Sequence, residues 1–303
     1  MNSFKPASKC SGNLTMVLQI LKGGLRPLAG KIDWKAEAET APARLYVFGS
    51  SSSEVFDYIF GATPRYRSYW AGGWSARGLR KEANRGYVLK CLENARPQDI
   101  IFLHFGVVDA VFNAGYRVDR GDFLDPEGFC REAAEGIKML VADLRGAGFS
   151  NIYTVAVGAP CKVPARYFRK RFQLHGLPAR YQAQLLNRIN QLISDVCDRR
   201  DLTPVLADEH GVLKPEFHRA KRNHHADYVK IQELVWKGIR DIPGLPPRRQ
   251  DWRSELYKSG VRGGVGKRIA AGNFNPVNLK RFEEPQVLSR KILPAAEEEQ
   301  GEV

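Results

Sequence analysis

Cysteine is scarce and scattered: Cys10, Cys91, Cys130, Cys161 and Cys197 are the only five in 303 residues, and no two form a Cys-x-x-Cys pair. The odd count and wide spacing exclude a disulfide framework and a thiolate zinc site. They fit a reducing, cytoplasmic setting. Long apolar runs are missing too. None approaches the roughly 18 residues of a membrane span, and Met16 to Leu21 is too short for a secretory h-region. Carboxylates are outnumbered, with 33 Asp and Glu against 47 Lys and Arg, a net charge of +14. That surplus admits anionic partners such as nucleic acid, acidic lipid or an acidic substrate, or equally a solvated basic face. With 43% apolar and 26% charged residues, the chain is that of a folded protein, not a disordered one.

Strand-like runs alternate with helical periodicity. The runs 44–48, 66–70, 99–105, 151–157 and 203–207 read as five strands, and 53–60, 76–94, 126–147, 177–199 and 226–239 as helices. Such alternation predicts βαβ crossovers and a three-layer α/β/α, flavodoxin-like domain with a five-stranded parallel sheet. The nearly unbroken apolar runs LYVF and IIFLHF suit strands covered on both faces. Ile137, Leu140, Val141 and Leu144 form a helical stripe. The organisation read from this is an irregular lead-in over 1–43, an α/β domain over 44–242 closed by Pro243, Pro246 and Pro247, and a basic, Gly-containing tail over 243–303 with an acidic end.

In a parallel sheet the ligand lies beyond the carboxyl ends of the strands, so the loops after each strand are the candidates. Strand one runs into Gly49, read as a tight-turn glycine, and four serines, Ser50 to Ser53. A serine at a helix start has backbone N–H groups beside it that stabilise negative charge, but serine is equally a helix cap. The loop lacks the second Gly and the Lys of a P-loop, and no dinucleotide loop or metal-ligand spacing is present, so neither a cofactor nor a metal is expected. Strand two is followed by GGWSARGL and strand three by Gly106 and Asp109, and His224 and His225 precede the last helix. A carboxylate at the end of an apolar strand requires partners, so Asp109 is read as holding neighbouring loops. Either histidine supplies a base that titrates near neutrality.

Taken in order, these four loops resemble the motif blocks of the SGNH, or GDSL, hydrolase superfamily. Gly49-Ser50-Ser51 matches the Gly-Asp-Ser block, with Ser51 as the nucleophile. Gly78 matches the oxyanion-hole glycine, and Gly106-Val107-Val108-Asp109 the Gly-x-Asn-Asp block. His225, followed by Ala226 and Asp227, matches the family histidine better than His224 does. Three departures stand out. Ser50 replaces the family's Asp, Val108 its oxyanion Asn, and Arg222 the triad Asp of Asp-x-x-His. The resemblance implies a serine esterase or acyltransferase with Ser51 and His225 as the reactive pair, Gly78 and Gly106 in the oxyanion loops, and Arg77 and Arg222 on a positive substrate rim. Its substrate would be a small-molecule or glycan ester, with the rim suited to an anionic one. The departures leave open a degenerate relative that binds an anionic glycan, lipid or nucleic acid without cleaving it. Nucleic acid has only charge and aromatics such as Tyr167 and Phe168 in its favour, with no recognised module.

Overall fold

The two runs that are apolar on both faces become the centre of the sheet. In the computed structural model, which describes residues 41–60, 65–123, 125–219 and 223–248, β1 (Leu45–Gly49) and β3 (Ile100–His104) are buried at every position. They pair in parallel, flanked by β2 (Tyr66–Trp70) against β1 and by β4 (Ile152–Ala156) and β5 (Asp198–Asp201) beyond β3. The order β2-β1-β3-β4-β5 is the flavodoxin-like order, whose topological switch point lies between β1 and β3. By contacts the chain falls into two units, Met1–Ala41 and Pro42–Val303, and every described residue except Ala41 belongs to the second. The expected lead-in up to residue 40, and the tail beyond 248, lie outside the described residues.

Helices cover both faces. Against one pack α2 (Glu82–Cys91), α4 (Pro126–Gly146) and α6 (Ala179–Leu192). The stripe Ile137, Leu140, Val141 and Leu144 meets Leu185, Leu186 and Ile189 there. Against the other pack α1 (Val55–Phe60) and α8 (Tyr228–Ile239), through Phe56, Ile59, Ile231 and Val235. Each such side chain contributes about 1.5–3 kcal/mol of burial. Helix α4 opens on Pro126 with Asp125 accepting from the Gly128 N–H. It stops where Gly148 takes φ +92° and the Phe149 N–H returns to the Leu144 carbonyl.

The fifth strand lies elsewhere than expected. Residues 203–207 carry α7 (Thr203–Leu206), a single turn with Pro204 in its opening residues, where no helical N–H partner is lost. The strand is the polar DRRD segment before it, an edge strand held by backbone pairing to β4 and half exposed. Hydrophobic patterning has nothing to report for such a strand. Two short helices were also not expected: α3 (Ala114–Asp119), continuing a π-helical turn over Asp109–Asn113, and α5 (Ala165–Phe172), in what read as the loop after strand four. Gly49 serves close approach, not a turn: a Cβ there would lie 2.4 Å from the His104 carbonyl oxygen.

Candidate active site

The switch point sets the chain leaving β1 beside the chain leaving β3. After β1 the four serines begin a 3-10 turn, Ser51–Glu54, that runs into α1. Its first amides have no carbonyl within the helix. After β3 the chain turns at Gly106, whose φ of +96° is a glycine conformation, and Val107 and Val108 then face the serines. Before α8, residues 223–227 arrive from the opposite side. Together they enclose a small cavity of about 30 Å³, lined by Ser51, Ser52, Val107, Val108, Val111 and Phe112, with Val157, Ala159, His224 and His225 among its other walls.

Ser51 and His225 meet here. Ser51 Oγ lies 2.8 Å from His225 Nε2. The second ring nitrogen, Nδ1, lies 3.2 Å from Oδ1 of Asn223, and that oxygen also accepts the backbone N–H of His225 at 3.0 Å. The backbone donor fixes which end of the carboxamide faces the ring. Oδ1 faces inward, so Nδ1 carries the ring proton and Nε2 presents a lone pair to the serine hydroxyl. Desolvation, then the charges of His224, Arg219 and Arg171, hold the His225 pKa well below the ordinary 6.5. The ring is therefore neutral at physiological pH. Tyr228, from the first turn of α8, donates its hydroxyl to the Ser51 carbonyl at 3.1 Å and ties the two segments together.

Asn223 is the residue that motif alignment missed. Counting three back from His225 gives Arg222, but the orienting group comes from two back, through an Asx turn in which a side-chain oxygen reaches the i+2 amide. The Asn-x-His spacing was the available signal. Arg222 itself lies outside the described residues. Of the nearby carboxylates, Asp208 is engaged by the amides of His210 and Val212, and Asp227 begins α8.

A second serine–histidine pair lies beside the first. Ser52 Oγ is 2.8 Å from His104 Nε2, and His104 Nδ1 is 2.8 Å from the Val155 carbonyl. The carbonyl requires the proton on Nδ1, so Ser52 donates to Nε2. Ser50 then donates to Ser52, 2.9 Å away. Burial brings the His104 pKa down to about 4. Ser50, at the family Asp position, thus belongs to a hydroxyl chain anchored on β3 and β4.

His224 turns away from the serines. Its Nδ1 lies 2.7 Å from the Tyr167 hydroxyl, and its ring packs edge-on against Phe112 and Phe172. It is a wall of the cavity held by α5. Asp109 is fully buried, with Oδ2 accepting the Ala76 N–H at 2.6 Å and Oδ1 the Arg77 N–H at 3.2 Å. Burial raises its pKa to about 6 against the pull of these bonds. Both amides belong to the loop after β2.

That loop does not supply the expected site residues. The Gly78 N–H is taken by Ser75 Oγ at 3.1 Å, and Gly78 lines a separate groove with Arg77, Arg80, Lys81 and Asn113. Arg77, in a 3-10 turn, packs its side chain against α4, with its guanidinium on Glu132 and over the Phe129 ring. Among the described residues, neither borders the Ser51 cavity. Gly106 is the turn that delivers Val107 and Val108, and its own position is packed against Leu186 and Ile189.

Among the described residues, no group of three or more His, Cys, Asp or Glu is arranged to hold a metal, and no helix is long and apolar enough to cross a membrane. No protein-family model and no curated protein matches the chain. Among solved structures it is similar to GDSL-type hydrolases. A GDSL-like lipase from Bacteroides thetaiotaomicron matches at 15% identity and TM-score 0.42, over 68% of this chain and 94% of that one. A carbohydrate acetylesterase from Sinorhizobium meliloti matches at 13% and 0.41, over 64% and 94%. An aryl esterase from M. smegmatis matches at 13% and 0.41, over 66% and 99%.

Proposed function

We propose that the protein is a serine ester hydrolase, or an acyltransferase of the same chemistry, in which Ser51 attacks, His225 is the base and Asn223 orients the base. The observation that carries this is the 2.8 Å contact from Ser51 Oγ to a ring nitrogen whose opposite nitrogen is held by Asn223, at the wall of a cavity. Ser51 Oγ adds to the ester carbonyl and its proton passes to Nε2. The oxyanion that forms lies by the first amides of the serine turn, where N–H groups lack helical partners. Collapse returns the Nε2 proton to the leaving alcohol and leaves the acyl group on Ser51. Water, or a second alcohol in a transferase, then takes it off with His225 as base again.

The differences from a full triad have defined costs. Asn223 fixes the tautomer as an Asp does but carries no charge, so the imidazolium formed during attack is left without an anion beside it. Val107, Val108 and Val111 make the cavity wall apolar where the resembling family has a donor, and its small volume suits a short acyl group. Hydrolysis of a short-chain chromogenic ester by wild type, Ser51→Ala and His225→Ala, with fluorophosphonate labelling in parallel, tests the assignment. Loss of both rate and label in Ser51→Ala is expected; equal rates in all three proteins would overturn it.

A further inference from the structure

About half of the described arginines have a carboxylate partner. Arg44 and Arg96 meet Asp99, Arg77 and Arg80 meet Glu132, Arg85 meets Asp143 and Arg188 meets Glu127. Helix α5 and the segment before it gather cations that have none. Lys162, Arg166, Arg169, Lys170 and Arg171 are all exposed, and among the described residues none has a carboxylate within ion-pair distance. Five like charges over ten positions repel one another, and a helix carrying them gains nothing from the repulsion. Nor is the cluster remote from the chemistry. The apolar side of the same helix sends Tyr167 to His224 and packs Phe172 against Phe112 and His224, and His224 and Phe112 are walls of the Ser51 cavity. Phe172 remains 38% exposed at this border.

We propose that the ester cleaved at Ser51 is carried on an anionic molecule, whose negative groups are bound by the cations of α5, Arg166, Arg169 and Lys170 on its outer face and Arg171 on the side of Tyr167. This rests on the hydrolase reading above and names the substrate class for it. A positive rim attracts an anionic substrate over about 10 Å at ordinary ionic strength. Phe172 and Tyr167 give the body of the substrate an apolar surface between the charges and the nucleophile. The same anion answers a defect of the site itself. His225 has neutral Asn223 where a carboxylate would stabilise its protonated form, and the positive charges of Arg171 and Arg219 oppose that form further. An anion seated on α5 offsets those charges during attack, so the gain extends to kcat as well as KM.

The test pairs 4-acetoxybenzoate with its neutral analogue 4-acetoxybenzamide, on wild type and on a variant carrying R166Q, R169Q, K170Q and R171Q. In wild type at low salt the anionic ester is expected to be preferred by at least ~10-fold in kcat/KM. That ratio should fall toward one in the variant, and toward one in wild type at high salt. A ratio near one in wild type, or a ratio that survives the four substitutions, overturns the proposal. Binding of the same two compounds to Ser51→Ala, followed by NMR line broadening, separates the two readings. Preferential binding of the anion without turnover in wild type sinks the hydrolase assignment and leaves the cationic face standing. Turnover of both esters with no preference does the reverse.

Discussion

Two serine–histidine pairs lie side by side in this protein, each 2.8 Å long, and only one of them is proposed to react. In the pair Ser52–His104, the serine oxygen already accepts from Ser50, and the histidine is 2% exposed and bolted by its other nitrogen to a strand carbonyl. In the pair Ser51–His225, both partners are only partly buried and the histidine is held by a side chain at the end of a loop. The contrast teaches that a short Ser–His contact describes a hydrogen bond and not a nucleophile. What distinguishes the proposed reactive pair is an oxygen that does not accept from a neighbouring serine and a histidine that is only partly buried.

The widest expected gap between the pairs is in rate. Ser51→Ala should lower ester hydrolysis by about 10³-fold or more, whereas Ser52→Ala should leave it within about threefold. Comparable losses in the two variants, read from steady-state kinetics, would erase the distinction. The orienting residue sharpens it next. Asn223→Ala should cost ~10-fold in kcat, and Asn223→Asp should raise kcat by ~10-fold because a carboxylate stabilises the imidazolium that Asn223 does not. No gain in the Asp variant would mean that His225 is not protonated in the rate-limiting step.

Stability separates the regions in the other direction. Asp109→Ala strands the Ala76 and Arg77 amides and should cost about 2 kcal/mol, measured by denaturant unfolding. Ser52→Ala, which leaves His104 Nε2 without its donor, should cost about 1 kcal/mol. A Ser52→Ala protein as stable as wild type would remove the anchoring role given to the buried pair.

The smallest effects are in pH. Because His225 is held well below 6.5 and must be neutral to act, kcat/KM should stay level as pH falls from 8 to 6.5 and decline only further into acid. An acid limb centred near 6.5 contradicts the depressed pKa. Under the same turn, Glu54 is buried with Oε1 unpartnered. Desolvation first, and then Asp57, raises its pKa to about 8. Its folded pKa exceeds the unfolded one, so the stability is full at acid pH and falls as pH rises from about 4.5 through about 8. Glu54→Gln should flatten the fall of Tm across that range, which thermal melts would follow.

Much of this was legible in the chain because it depends on local pattern. LYVF and IIFLHF are too apolar to be anything but central strands, the α4 stripe announces its face, and a serine-rich loop after strand one with histidines before the last helix marks the two sides of the cavity. What escaped was whatever patterning does not encode. The DRRD edge strand is specified by backbone pairing with β4, and α5 carries so many cations that its one buried face, centred on Phe168, was hidden. The site divided in the same way. Ser51, His225 and Asp109 sit at positions that strand order dictates once the sheet is parallel. Gly78 and Arg77 are near them in motif order but belong to another groove, and Asn223 reached the ring through a turn that no alignment by spacing revealed. By itself the sequence determined the layers, the central strands and the loops that carry reactive groups, since burial and periodicity act over a few residues. Only the tertiary structure decided which serine faces the histidine at the cavity, which residue orients it and which cations lie near it, because those depend on distances between segments as far apart in the chain as residues 51 and 225.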